Sequence, residues 1–111
     1  MNVKYRGALT FDSDEALTKA LDDITRQIQS QKNSFLTMEH IEPLGLHVTV
    51  HQSGNASPEQ IQFSRQILKS LASTAYSGYV DVWIDDHDDS ERYHAKEINP
   101  KVPTVDDIVS T

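Results

Sequence analysis

The feature that most constrains the fold of this chain is a pattern that occurs twice along the sequence: a strand, then a helix, then a second strand. At residues 3–11, apolar Val3, Tyr5 and Leu9 alternate with Lys4 and Arg6, as in a half-buried strand. Residues 13–31 predict a helix, because their apolar side chains fall on one stripe at helical spacing: Leu17, Ala20, Leu21, Ile24 and Ile28. We predict the second strand at residues 35–41.

The second half repeats this order. Residues 42–45, Glu-Pro-Leu-Gly, predict a hairpin turn before a third strand at residues 46–51, and a loop follows at 52–56. Ser57 as N-cap, Pro58 in the first turn and Gln60 in a capping box predict the start of a second helix. Residues 79–85 alternate again and predict a fourth strand, and residues 91–98 are compatible with a short fifth.

This order of elements predicts an α+β fold. Right-handed crossovers would give a ferredoxin-like βαββαβ two-layer sandwich, in which both helices cover one face of a four-stranded antiparallel sheet. We predict a single domain at residues 1–98. Residues 99–111 contain Pro100 and Pro103 and predict a C-terminal tail that is either loose or docked.

Composition restricts the possible partners. The chain has 111 residues, no cysteine and a formal net charge of −7, from 17 acidic and 10 basic residues. This charge disfavours nucleic acid, whose binding requires neutralised phosphates, and favours a protein partner with a basic surface. The sequence shows no signal peptide and no apolar run long enough to span a membrane, so we expect a soluble cytoplasmic protein.

Two helices cover one face of such a sheet and leave the other face to solvent or to a partner. Alternation along the strands places these residues on that other face: Lys4, Arg6, Thr10, His47, Thr49, His51, Asp81, Trp83 and Asp85. Trp83 is notable because tryptophan is enriched at binding hot spots. The alternative is that Trp83 packs under the tail or beside the stems of Lys and Arg side chains.

No motif in the sequence predicts a cofactor, a metal site or a catalytic residue. His47 and His51 share a strand face but are separated by about 13 Å, too far to share one zinc ion. The acidic run at residues 85–91 has Glu91 where a calcium loop needs glycine, so it predicts a solvated turn or a patch for a basic partner. We predict that the chain is not an enzyme. The alternative to this prediction is a small enzyme that uses His47 or His51.

Three segments resemble small acidic immunity proteins of bacterial toxin systems, of the type VI secretion effector–immunity kind. They are residues 3–7 (Val-Lys-Tyr-Arg-Gly), the acidic start of the first helix, and residues 80–86 (Val-Asp-Val-Trp-Ile-Asp-Asp). The resemblance implies an inhibitory complex with a cognate toxin and no chemistry by the chain itself. The predicted partner-binding residues are Trp83, Asp85, Asp86, Asp88, Asp89, Glu91, His47 and His51. The alternative is a ferredoxin-like regulatory or ligand-binding domain that homodimerises through its open sheet.

Overall fold

The protein is an α+β fold built on one antiparallel sheet. The computed structural model describes residues 1–85 and 90–96. Within these ranges the elements are β1 (Asn2–Thr10), α1 (Asp14–Gln29), β2 (Ile41–Leu44), β3 (His47–Asn55), α2 (Pro58–Thr74), β4 (Ser77–Ile84) and β5 (Glu91–His94). The strand order is β2-β3-β1-β4-β5, and each neighbouring pair is antiparallel. The sheet thus has one strand more than the predicted four-stranded sandwich. The additional strand, β5, lies within residues 91–98, where the sequence was compatible with a short fifth strand, and it ends at His94.

Local capping chemistry fixes the start of each helix. The Ser13 side chain accepts a hydrogen bond from the backbone N–H of Ala16, and acidic residues occupy the first turn of α1. At α2, Ser57 and Gln60 form both halves of a capping box, and Pro58 lies in the first turn. Both predicted helix starts are confirmed.

The core lies between the helices and one side of the sheet. Tyr5, Leu9, Val50 and Val82 are each at most 1% exposed. In β1 and β3, the residues that alternate with the buried ones point away from the core. The buried helix residues in the same cluster are Leu17, Ala20 and Ile24 of α1 and Ile61, Ile67, Leu68, Leu71 and Ala72 of α2. Since both helices bury side chains in this one cluster, they cover the same side of the sheet.

A buried hydrogen bond links β1 to α2 inside this core. The Tyr5 hydroxyl pairs with the Ser64 hydroxyl, which is fully buried on α2. Burial raises the pKa of the Tyr5 hydroxyl, so the group stays neutral. The hydrogen bond with Ser64 gives this buried polar atom a partner. The contact fixes the position of α2 over the central strand.

The prediction of a second strand at residues 35–41 is wrong. These residues form a loop and a 3₁₀ turn at Met38–His40, and β2 begins only at Ile41. Leu36 is nevertheless completely buried, so the apolar pattern that resembled a strand reflects a loop packed into the core. Pro43, predicted in the hairpin turn, lies within β2, where an edge strand tolerates a residue without a backbone N–H.

The hairpin turn is shorter than predicted and the next strand is longer. The turn consists of Gly45 and Leu46, and Gly45 adopts a left-handed φ of 62°. Strand β3 continues to Asn55, so the loop predicted at residues 52–56 is wrong. The reason is tertiary: β1 pairs with β3 along its whole length, from Asn2 opposite Asn55 to Thr10 opposite His47.

We expect Gly7→Ala to destabilise the protein strongly. A Cβ at Gly7 would clash with the carbonyl oxygen of Tyr79 and the Cα of Val80, which belong to the backbone of β4 and cannot rotate away. We expect a loss of about 3 kcal/mol in the free energy of unfolding, measured by urea denaturation. Gly45→Ala is the control, because nothing lies within 4 Å of its Cβ and only the left-handed φ opposes the change; it should cost about 1 kcal/mol. Equal losses in the two variants would contradict this account.

Candidate functional site

The side of the sheet opposite the helices, here called the open face, is uncovered within the described residues. Cross-strand register and alternation assign these side chains to it: Lys4, Arg6, Ala8 and Thr10 of β1; Glu42 and Leu44 of β2; His47, Thr49, His51 and Ser53 of β3; Ser77, Tyr79, Asp81 and Trp83 of β4; Arg92 and His94 of β5. Most of them are exposed or half-buried. The open face is therefore the candidate functional site.

Trp83 lies against a cation. Its cross-strand partner is Lys4, whose Nζ is 5.3 Å from the centre of the indole ring. At this distance the ammonium is attracted by the ring quadrupole. Trp83 is half-buried, so part of its indole surface is left for another molecule.

Asp81 and Arg92 form the second fixed element of the open face. The Arg92 guanidinium donates from Nε and Nη2 to the two carboxylate oxygens of Asp81, at 2.7 and 3.0 Å. Its Cζ lies 3.8 Å from the centre of the Tyr79 ring, and Tyr79 in turn meets His94 edge-on. The hydrogen bond to Asp81 raises the pKa of Arg92. Asp81, only 7% exposed, is thus paired with Arg92 from β5.

The two predicted histidines lie on the open face, as expected from the alternation. His47 Nδ1 is 2.9 Å from the Thr10 hydroxyl, and His51 lies opposite Arg6 in the register of β1 and β3. Among residues 1–85 and 90–96, no group of three or more His, Cys, Asp or Glu residues is placed to hold a metal ion.

The two predicted acidic residues that the structure describes, Asp85 and Glu91, are not together on this face. Asp85 lies at the end of β4, where its carboxylate accepts a hydrogen bond from the Asn2 backbone N–H at 3.0 Å. Glu91 points to the helix side, where its two carboxylate oxygens accept from Arg65 at 2.6 Å and from Tyr93 at 2.7 Å. The remaining three predicted residues, Asp86, Asp88 and Asp89, lie outside the described residues.

Sequence reasoning missed eight residues of the open face, and three of them, Tyr79, Arg92 and His94, make the contacts around Asp81. A signal for Tyr79 was present, because continuing the alternation of Asp81 and Trp83 two residues backward reaches it. No local signal identified Arg92 and His94, because their side depends on the register between β4 and β5.

Trp83 separates two depressions on the open face. One, of about 520 Å³, is lined by Asn2, Val3, Lys4, Ser53, Gly54, Trp83 and Asp85. The other, of about 430 Å³, is lined by Arg6, Gly7, Ala8, Tyr79, Asp81 and Trp83. An aromatic ring between two depressions, with charged groups around it, is a surface into which side chains of another protein can insert.

Comparison of the chain with protein-family models, with curated proteins and with solved structures gave no significant match. Neither α1 nor α2 combines the length and the apolar character that a membrane-spanning helix needs.

We expect Glu91→Gln to weaken the acid dependence of stability. The hydrogen bond from Tyr93, assisted by Arg65, lowers the pKa of the Glu91 carboxyl. A carboxyl whose pKa is lower in the folded state stabilises that state above its unfolded pKa and loses the effect as the pH falls through the folded pKa. Because Glu91 is 47% exposed, we expect Glu91→Gln to cost at most about 0.5 kcal/mol at neutral pH.

Thermal unfolding of both proteins between neutral and strongly acidic pH measures this effect. The wild type and the Glu91→Gln variant should converge in stability at the acidic end. Glu39→Gln is the control, because Glu39 is exposed and makes no ion pair within the described residues. A constant difference between wild type and Glu91→Gln at all pH values would contradict the prediction.

Proposed function

We propose that this chain is a non-catalytic binding protein of the immunity type, which inhibits a cognate bacterial toxin by occluding it through the open face. We further propose that β1–β4 and the two helices are a ferredoxin-like βαββαβ unit with β5 added at one edge, and that the protein acts in the cytoplasm. The strand order β2-β3-β1-β4 within the sheet supports the fold proposal. The resemblance of residues 3–7 and 80–86 to immunity proteins supports the functional one.

The observation that carries the proposal is the pair of incompletely buried aromatic residues on the uncovered side of the sheet. Tyr79 is 42% exposed and Trp83 is half-buried, both on β4. Tyrosine, tryptophan and arginine are the residue types that dominate the energetics of protein interfaces, and Arg92 lies beside Tyr79.

Both aromatic residues are held in place before any partner arrives. Trp83 is in contact with Lys4, and Tyr79 lies between Arg92 and His94. Side chains that are already ordered lose less conformational entropy on binding, which favours the tight complex that inhibition requires. The site is on strands rather than loops, so its geometry is set by the sheet.

The overall charge supports a toxin with a basic surface as the partner. A net charge of −7 attracts a basic protein over distances of about one Debye length, roughly 8 Å at physiological salt, and speeds encounter. The predicted acidic residues Asp85, Asp86, Asp88, Asp89 and Glu91 belong to this part of the proposal. Their contribution would be to steer the basic partner toward the chain.

Trp83→Ala is the direct test. Co-expression with the product of the adjacent gene, scored by relief of toxicity and by co-purification, first identifies the partner. We then expect Trp83→Ala to weaken binding at least about thirtyfold, the effect of a 2 kcal/mol hot spot, and Tyr79→Ala to weaken it less. Binding is measured by calorimetry with purified proteins.

Gln62→Ala and Gln66→Ala are matched controls, since both residues are exposed on α2, away from the open face. They should leave affinity within about twofold of wild type. A loss of affinity in these variants with none in Trp83→Ala would place the interface on the helices. Absence of both a co-purifying protein and any relief of toxicity would refute the immunity function.

A second candidate function is a regulatory or ligand-binding domain that homodimerises through the same open face. The exposed ring of Tyr79, on the same face of β4 as Trp83, favours it, because aromatic surface of this kind can pair with its own copy. Light scattering after size exclusion separates the two functions. A dimer whose tryptophan emission shifts to the red on dilution favours the homodimer, and a monomer favours the binding of a different protein.

A further inference from the structure

We infer that the segment of the partner that covers the open face is acidic: a stretch of polypeptide with carboxylates that meet Lys4, Arg6 and Arg92 and apolar side chains that contact Trp83 and Tyr79. This inference rests on the proposed function and specifies the chemistry of the same site. It also gives different roles to two groups of residues that the sequence analysis combined. The acidic residues at 85–91 steer the partner, and the cationic residues of the open face contact it.

The charge at the centre of the open face is opposite to that of the chain. Among the described residues the face carries three permanent cations, Lys4, Arg6 and Arg92, and three carboxylates, Asp81, Glu42 and, just beyond the end of β4, Asp85. Asp81 is paired with Arg92, and Glu42 lies on the edge strand β2. The centre of the face, on β1 and β4, is therefore cationic in a protein whose formal net charge is −7.

These cations have hydrogen-bond donors to spare. Two of the five N–H donors of the Arg92 guanidinium engage Asp81, and three remain. Lys4 and Arg6 make no salt bridge with any residue that the structure describes, and neither donates a side-chain hydrogen bond there. All three side chains are exposed in the part of the chain that the structure describes, so water can reach these donors.

Covering the face removes that water, and the loss determines which partner fits. A cation that is buried without an acceptor costs several kcal/mol, whereas a carboxylate can satisfy a guanidinium with two parallel hydrogen bonds. An apolar or basic surface over Lys4 and Arg6 would leave these charges unpaired. A partner that gains affinity from Trp83 must therefore bring acceptors for the cations around it.

Polypeptide carboxylates fit this face better than nucleic-acid phosphates. Bases stack on aromatic side chains, but on the central strands β1 and β3 the positions of the open face are occupied by non-aromatic side chains or histidines. The buried carboxylate of Asp81 lies between the cations, and the net charge repels a polyanion. A short acidic segment with apolar residues meets less of this repulsion, since salt screens charges beyond about 8 Å.

The experiment uses defined probes and the full chain. An acetylated peptide that alternates Glu with Phe or Leu is titrated into labelled protein and followed by amide chemical shifts and by the fluorescence of Trp83, the single tryptophan. The same peptide with Lys in place of Glu and a short oligothymidylate are the comparison probes. We expect the acidic peptide to shift the signals of Lys4, Arg6, Trp83 and Arg92, and to do so less at higher salt.

Charge removal on the face tests the contact itself. Lys4→Gln combined with Arg6→Gln should weaken the acidic peptide about five- to tenfold, the effect of two partly exposed charge pairs. Lys19→Gln combined with Lys32→Gln removes the same charge from residues off the open face and should leave the affinity unchanged within about twofold. Unchanged thermal unfolding shows that each variant is folded.

Each other outcome overturns the inference. Preferred binding of the Lys peptide would assign basic partners to the face, and preferred binding of oligothymidylate would assign nucleic acid. If the acidic peptide does not bind at low salt, or if both double variants lose the same affinity for it, Lys4 and Arg6 do not contact an acidic segment. If Asp106→Asn with Asp107→Asn shifts the signals of Lys4 and Arg6 without any probe, the acidic segment belongs to the chain itself. These results need no toxin, so they are distinguishable from failure of the immunity function.

Discussion

The structure depends on β1, which lies at the centre of the sheet and pairs with β3 on one side and with β4 on the other. Its inward side chains form part of the core against which the helices pack, and Tyr5 is hydrogen-bonded to Ser64 of α2. Its outward side chains, Lys4 and Arg6, are the centre of the open face. One strand thus serves both the core and the candidate site, because successive side chains of a strand point to opposite faces.

This arrangement explains why the site is rigid and shallow. A site on strands inherits the order of the backbone hydrogen bonds, and here the side chains are also tied to one another, Trp83 to Lys4 and Asp81 to Arg92 to Tyr79. Such a surface is poorly suited to enclosing a small substrate and well suited to a flat contact with another protein. The distribution of charge adds direction, since the chain is acidic overall whereas the centre of the open face carries Lys4 and Arg6.

Where prediction succeeded, local physics was sufficient. Period-two alternation in β1 and β4 placed Lys4, Arg6 and Trp83 on the correct side, and capping residues fixed both helix starts. Where it failed, distant contacts decided. Leu36 lies in a loop that packs into the core, so its apolar side chain does not mark a strand. Strand β3 extends to Asn55 because β1 pairs with it as far as that residue. Glu91, grouped with Trp83 by its nearness in sequence, lies on the helix side because the pairing of β5 puts it opposite Val82.

The sequence by itself determined the overall charge, the starts of the helices and the alternation of the strands, and the alternation indicated which side chains of β1 and β4 face away from the helices. These properties depend on neighbours within a few residues along the chain, or on composition. Only the tertiary structure decided which charges meet on that face. The pairing of Asp81 with Arg92, and the contact of Trp83 with Lys4, depend on strand register between segments 11 and 79 residues apart, and register is set by the whole sheet packing against its helices.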